Sequence, residues 1–129
     1  MARILLAEDF ESVRRLLTNA LALDGHIVTS AGNGAEAIAA FIDRPHDLVI
    51  TDLEMPYVSG QALIAEIQHI APSTPIIGMT GGPFPESIED ERQRLNIAAL
   101  FVKPMDLGTL RQTIHDLVAD KVPTTNPAA

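Results

Sequence analysis

Glu8, Asp9, Asp52, Thr80 and Lys103 each stand where an apolar run stops. Glu8 and Asp9 follow Ile4-Leu5-Leu6-Ala7. Asp52 follows Leu48-Val49-Ile50-Thr51, with Met55-Pro56 close behind. Thr80 closes Ile76-Ile77-Gly78-Met79, and Lys103-Pro104 follows Leu100-Phe101-Val102. Carboxylates held close together repel one another, and a divalent cation relieves the repulsion. A site with few carboxylates and open water positions suits Mg2+. A carboxylate fixed beside such a cation can act as a nucleophile toward phosphorus. Phosphoryl transfer depends mainly on positioning and charge neutralisation. Mg2+ would neutralise some phosphoryl oxygens and Lys103 another, while Thr80 donates a hydrogen bond to a third. Taken singly, each residue has a plainer reading. Glu8 and Asp9 could be acids at a helix start, where the helix dipole stabilises them. Asp52 could be a turn aspartate and Lys103 a strand-end lysine. Two features argue for more. Pro56 fixes the chain direction just past Asp52, and Lys103–Pro104 is the kind of bond that can be cis, which would aim the lysine back at the site.

These residues can meet only if the elements carrying them lie side by side. Short apolar runs alternate with helix-period segments, the pattern of βαβ units on a parallel sheet. Strands are predicted at about Arg3 to Ala7, His26 to Ser30, Asp47 to Thr51, Ile76 to Thr80 and Ala99 to Lys103. The second, with its polar alternation, fits a partly exposed position. The first helix carries the stripe Val13, Leu16, Leu17, Ala20 and Leu21 and closes at Asp24-Gly25, a glycine suited to a left-handed cap. The second, about Gly34 to Asp43, is expected to bury Ala37, Ile38, Phe41 and Ile42. The third, about Gly60 to Ile70, buries Leu63, Ile64 and Ile67. After the loop Gly81 to Pro85, a fourth helix, about Glu86 to Leu95, has only Ile88 and Leu95 as clear anchors and should be loosely held. The fifth, Leu107 to Val118, buries Leu107, Leu110, Ile114 and Leu117. Residues 1–120 read as one domain and 121–129 as a disordered tail. In the doubly wound order 2-1-3-4-5 the first and third strands are neighbours at the switch point, which brings Glu8 and Asp9 to Asp52.

Composition narrows the classes. The chain has 129 residues, enough to bury its own core, and 47% of them are hydrophobic. There is no cysteine, hence no disulfide framework and no thiolate zinc site. A formal charge of −8 argues against nucleic acid as a partner. No stretch approaches the apolar length of a membrane span, and the expected location is cytoplasmic. His26, His46, His69 and His115 are read as surface or boundary residues. Gly32-Asn33-Gly34-Ala35-Glu36-Ala37 matches a dinucleotide fingerprint, but it follows a half-polar strand and reads as a turn and helix start.

The assembled motifs resemble the receiver domain of two-component response regulators over about residues 2 to 120. Leu5-Leu6-Ala7-Glu8-Asp9-Phe10-Glu11-Ser12-Val13-Arg14-Arg15 is similar to the same stretch of the stand-alone chemotaxis regulator. The resemblance implies a flavodoxin-like (βα)5 fold, with Asp52 as phosphoacceptor. Glu8 and Asp9 would be the acid pair, with Asp9 ahead of Glu8 as direct Mg2+ ligand. The backbone carbonyl of Glu54 would be a further ligand, Thr80 the switch hydroxyl and Lys103 the family lysine. Two positions depart from the pattern. The usual switch aromatic, three residues before the lysine, is Leu100 here, and Phe101 stands one place later on the opposite strand face. A double glycine, Gly81-Gly82, follows Thr80.

The implied function is a single-domain response regulator. It would take a phosphoryl group from a histidine kinase or histidine phosphotransfer protein. It would signal to a downstream protein through the face of helix 4, strand 5 and helix 5. It would not be an enzyme beyond self-phosphorylation from small donors and autodephosphorylation. The alternatives are a phosphorelay shuttle, a small phosphatase, or a nucleotide-binding module at Gly32 to Ala37.

Overall fold

Strands separated by helical segments have no hairpin partner, so neighbours pair in parallel across helical crossovers. The computed structural model describes residues 2–82 and 87–119. Its elements are β1 (Arg3–Ala7), α1 (Glu11–Leu23), β2 (Ile27–Ala31), α2 (Gly34–Asp43), β3 (Leu48–Asp52), α3 (Gly60–Ile70), β4 (Ile76–Thr80), α4 (Ile88–Leu95), β5 (Ala99–Val102) and α5 (Leu107–Ala119). Every strand pairing is parallel, in the order β2-β1-β3-β4-β5. This is the expected flavodoxin-like, doubly wound α/β sheet. The expected disordered tail, 121–129, and the beginning of the expected fourth helix, at Glu86, lie outside the described residues.

Successive strand side chains point to opposite faces. Leu5, Val49 and Ile76 therefore join Phe41, Leu63, Ile64 and Ile67 in one apolar layer under α2 and α3. Ile4, Leu6, Leu48, Ile50, Ile77 and Met79 join Leu17, Leu21, Leu110 and Ile114 in the other, under α1 and α5. The same alternation separates Leu100 from Phe101. Leu100 packs in the α2–α3 layer and Phe101 against the α1–α5 layer. Gly78 makes room for Leu100: a Cβ there would lie 3.0 Å from Leu100 Cδ1 and from Ile97 Cδ1.

Several expectations need adjusting. Leu16, placed in the α1 stripe, is 60% exposed, and Ile42, expected inside, is 65% exposed. On α1 and α2 the inward face is narrower than the apolar sequence stripe, whereas on α3 Leu63, Ile64 and Ile67 are all buried. On α5 Val118 is buried, while Leu107 and Leu117 are only partly buried. His46 is not a surface residue: it is buried and stacks on Phe41 with ring centroids 5.9 Å apart. Strand β3 runs one residue further than its apolar run, so Asp52 belongs to the strand.

Candidate functional site

Register carries the chemistry to one edge. Ala7 pairs with Thr51, Asp52 with Met79, and Thr80 with Val102. Glu8, Asp52, Thr80 and Lys103 therefore leave the sheet side by side at the C-terminal ends of β1, β3, β4 and the edge strand β5. Ligands bind at this edge in open α/β sheets.

Asp52 is held on several sides. Its Oδ1 accepts the Glu54 N–H at 3.0 Å and its Oδ2 accepts Lys103 Nζ at 2.6 Å. Leu53 N–H donates to the Met79 carbonyl, which ties the strand end to β4. Gly60 starts α3 directly against this backbone, because a Cβ there would lie 2.1 Å from the Asp52 carbonyl oxygen. No side chain fits, so the glycine lets the helix seat against the acid. Ser59 caps the same helix by accepting the Ala62 N–H.

Glu8 is fully buried. Its Oε1 accepts Lys103 Nζ at 2.7 Å and its Oε2 accepts the Phe10 N–H at 3.1 Å. Arg14 Nη1 donates to the Glu8 carbonyl at 2.8 Å and fixes the turn from behind. Burial pushes the Glu8 carboxyl above its ordinary pKa, against the lowering pull of Lys103 and the Phe10 N–H. Burial also disfavours the Lys103 ammonium, but its hydrogen bonds to Asp52 and Glu8 prevail and hold its pKa above the ordinary lysine value. The Lys103–Pro104 bond is cis.

Asp9 completes the cluster. Ligand oxygens of Glu8, Asp9 and Asp52 all lie within 4.8 Å of one another. Asp9 Oδ1 is buried with no hydrogen-bond partner. Buried carboxylate oxygens normally find a partner, so this orphan, in an all-oxygen donor set, fits a hard divalent cation such as Mg2+.

Thr80 is buried at the same edge but faces a different partner. Its hydroxyl donates to Glu54 Oε2 at 2.9 Å, and the Gly81 N–H donates to Glu54 Oε1 at 2.9 Å. The side chain of Glu54 is thus part of the site, although only its carbonyl was singled out from sequence. Arg14 and Gly60 were missed as well. The turn at Gly32 to Ala37 is a self-satisfied helix cap: Asn33 accepts the Glu36 N–H and the Glu36 carboxylate accepts the Gly32 N–H.

A family model, "Response regulator receiver domain", matches residues 4–115. The chain belongs to the response regulator receiver domain family. Among relatives, the receiver domain is 33% identical over 126 residues to the transcriptional regulatory protein GlrR of Escherichia coli K12, covering 97% of this chain and 28% of that protein. The chain thus spans about a quarter of that relative's length. It is 41% identical over 81 residues to the response regulator receiver protein CpdR of Brucella abortus, covering 63% of this chain and 68% of that one. Among solved structures it resembles chemotaxis protein CheY4 of Vibrio cholerae, with a TM-score of 0.82, 28% identity and coverage of 91% and 98%. It also resembles response regulator TrrA of Thermotoga maritima in complex with Mg2+-BeF, with a TM-score of 0.79, 31% identity and coverage of 91% and 99%. Receiver domains are phosphoacceptor signalling modules of two-component systems, working with histidine kinases and downstream effectors. Among the described residues no helix is long and apolar enough to cross a membrane.

Proposed function

We propose that this receiver domain accepts a phosphoryl group on Asp52 from a histidine kinase or histidine phosphotransfer protein, in the cytoplasm, and signals through phosphorylation-dependent protein contacts. The observation that carries this reading is the Lys103 ammonium bonded to both Glu8 and Asp52, beside the orphan oxygen of Asp9. Asp9, Asp52 and the Glu54 backbone carbonyl would hold Mg2+, with Glu8 supporting them. Bound Mg2+ supplies charge neutralisation for the phosphoryl oxygens. An Asp52 oxygen bonds to phosphorus as the bond to the donor imidazole nitrogen breaks. Lys103, released from Asp52, pairs with a phosphoryl oxygen. Signalling would pass to a partner at the face of α4, β5 and α5.

A second reading, a phosphorelay shuttle, is favoured by Leu100. An aliphatic side chain seated over Gly78 offers no ring to swing between two positions. A shuttle needs the same chemistry without a strong switch.

Mass spectrometry after incubation with acetyl phosphate and Mg2+ tests the acceptor. One phosphoryl group should map to Asp52, and incorporation should collapse in Asp52→Asn, in Asp9→Ala and without Mg2+. Full incorporation into Asp52→Asn would refute the assignment.

A further inference from the structure

We propose that the Glu54 side chain is an internal competitor for the donors that a phosphoryl group on Asp52 would recruit, and so sets how readily the site takes that group up. The inference rests on Asp52 being the acceptor.

Glu54 bridges two strand ends. Its own N–H donates to Asp52 Oδ1 at 3.0 Å, while its carboxylate reaches across to the end of β4. There it takes the Thr80 hydroxyl proton with one oxygen and the Gly81 N–H with the other, each at 2.9 Å. A threonine hydroxyl has one proton and a backbone amide has one. Neither can be given to Glu54 and to a phosphoryl oxygen at once. The carboxylate therefore satisfies in advance the hydroxyl proposed to sense phosphorylation and the amide beside it. These are charge-assisted contacts, stronger than neutral ones. Glu54 is itself exposed, so on release it passes into water without desolvation.

Release also has a direction. Thr80 Oγ1 accepts the Gly82 N–H at 3.1 Å. Re-aiming the hydroxyl toward Asp52 takes that acceptor away from Gly82, whose φ of 57° is open to glycine. The exchange of one anion for another at Thr80 is thus felt two residues along, on the way to α4.

The test compares Glu54→Ala, Glu54→Asp and Glu54→Gln with the parent chain. Beryllofluoride is titrated by calorimetry at saturating Mg2+, and amide exchange at Gly81 is read without ligand. Aspartate keeps the charge but is one methylene too short to bridge to β4. Glutamine loses the charge but keeps an acceptor oxygen in reach. Competition predicts about tenfold tighter beryllofluoride binding in Glu54→Ala and Glu54→Asp, faster Gly81 exchange in both, and a smaller gain in Glu54→Gln. Simple charge repulsion predicts the reverse order: Glu54→Gln tightens while Glu54→Asp matches the parent. That order would overturn the proposal, as would unchanged binding in all three variants. If the parent chain itself takes up no beryllofluoride, the acceptor reading falls instead.

Discussion

Helices α3 and α4 both follow a central strand of the sheet, yet they are attached by different physics. α3 buries Gly60, Leu63, Ile64 and Ile67, and its first residue rests on the Asp52 backbone. α4 buries only Glu91, which pairs with Arg94, and its apolar anchors Ile88 and Leu95 are partly buried. Polar ties take over. Ser87 caps its start by accepting the Asp90 N–H, and Asn96 caps its end in the left-handed conformation with φ 57°. Gln68 of α3 donates to the Leu95 and Asn96 carbonyls, and Arg92 pairs with Glu89. Apolar burial is non-directional and is lost only by opening the core. A hydrogen bond to an exposed carbonyl can be traded for one to water at small net cost. The helix seated on Asp52 is held by apolar packing, and the helix beyond Thr80 by contacts that can be exchanged.

The largest expected effect tests that contrast by truncation. Ile67→Ala in α3 should cost about 3 kcal/mol of unfolding free energy, the range for a buried aliphatic side chain. Leu95→Ala in α4 should cost less than about 1.5 kcal/mol, because its site is only partly buried. Equal losses in urea unfolding would break the comparison.

The same contrast explains what could be read in the sequence. The runs Ile4 to Ala7, Leu48 to Thr51 and Ile76 to Met79 are aliphatic because both sheet faces are covered, and each ends in a polar group at the ligand edge. Short buried strands with a polar terminus therefore marked the parallel sheet and its candidate acids together, while the strand order that joins them came from the doubly wound fold the resemblance implies. The width of the buried helix face was not legible. Periodicity marks a stripe, and Leu16 and Ile42 lie on its exposed margin. The Glu54 carboxylate was invisible as a site group because its contacts span 26 and 27 residues. No local spacing records how close the loop after β3 comes to the end of β4. Gly60 carried a signal, a glycine at a helix start just after the acid, which only the geometry explains.

A smaller effect sharpens the account of the packed layer. His46 stacks on Phe41 near α3, and burial pushes its imidazole below the ordinary histidine value. The unfolded chain then takes up the proton first. Stability is unaffected above the unfolded histidine pKa, about 6.5, and is lost progressively as pH falls below it toward the lower folded value. His46→Phe should remove part of the loss in melting temperature between neutral pH and mildly acid pH. His26, shifted in the same direction by burial, should retain the rest. An acid response identical in the variant would deny the buried layer this weak point.

Amide hydrogen exchange, followed residue by residue with and without acetyl phosphate and Mg2+, tests most directly whether a phosphoryl group on Asp52 is transmitted through exchangeable contacts. Before phosphorylation, Gly81, Gly82 and 88–95 should exchange faster than α1 and α3, in keeping with their few buried apolar contacts. Phosphorylation should change exchange at these residues, a shift of populations within one fold, and leave α3 as it was. Protection of α4 equal to that of α1 and α3 beforehand, or no change in α4 after full phosphorylation, would contradict it.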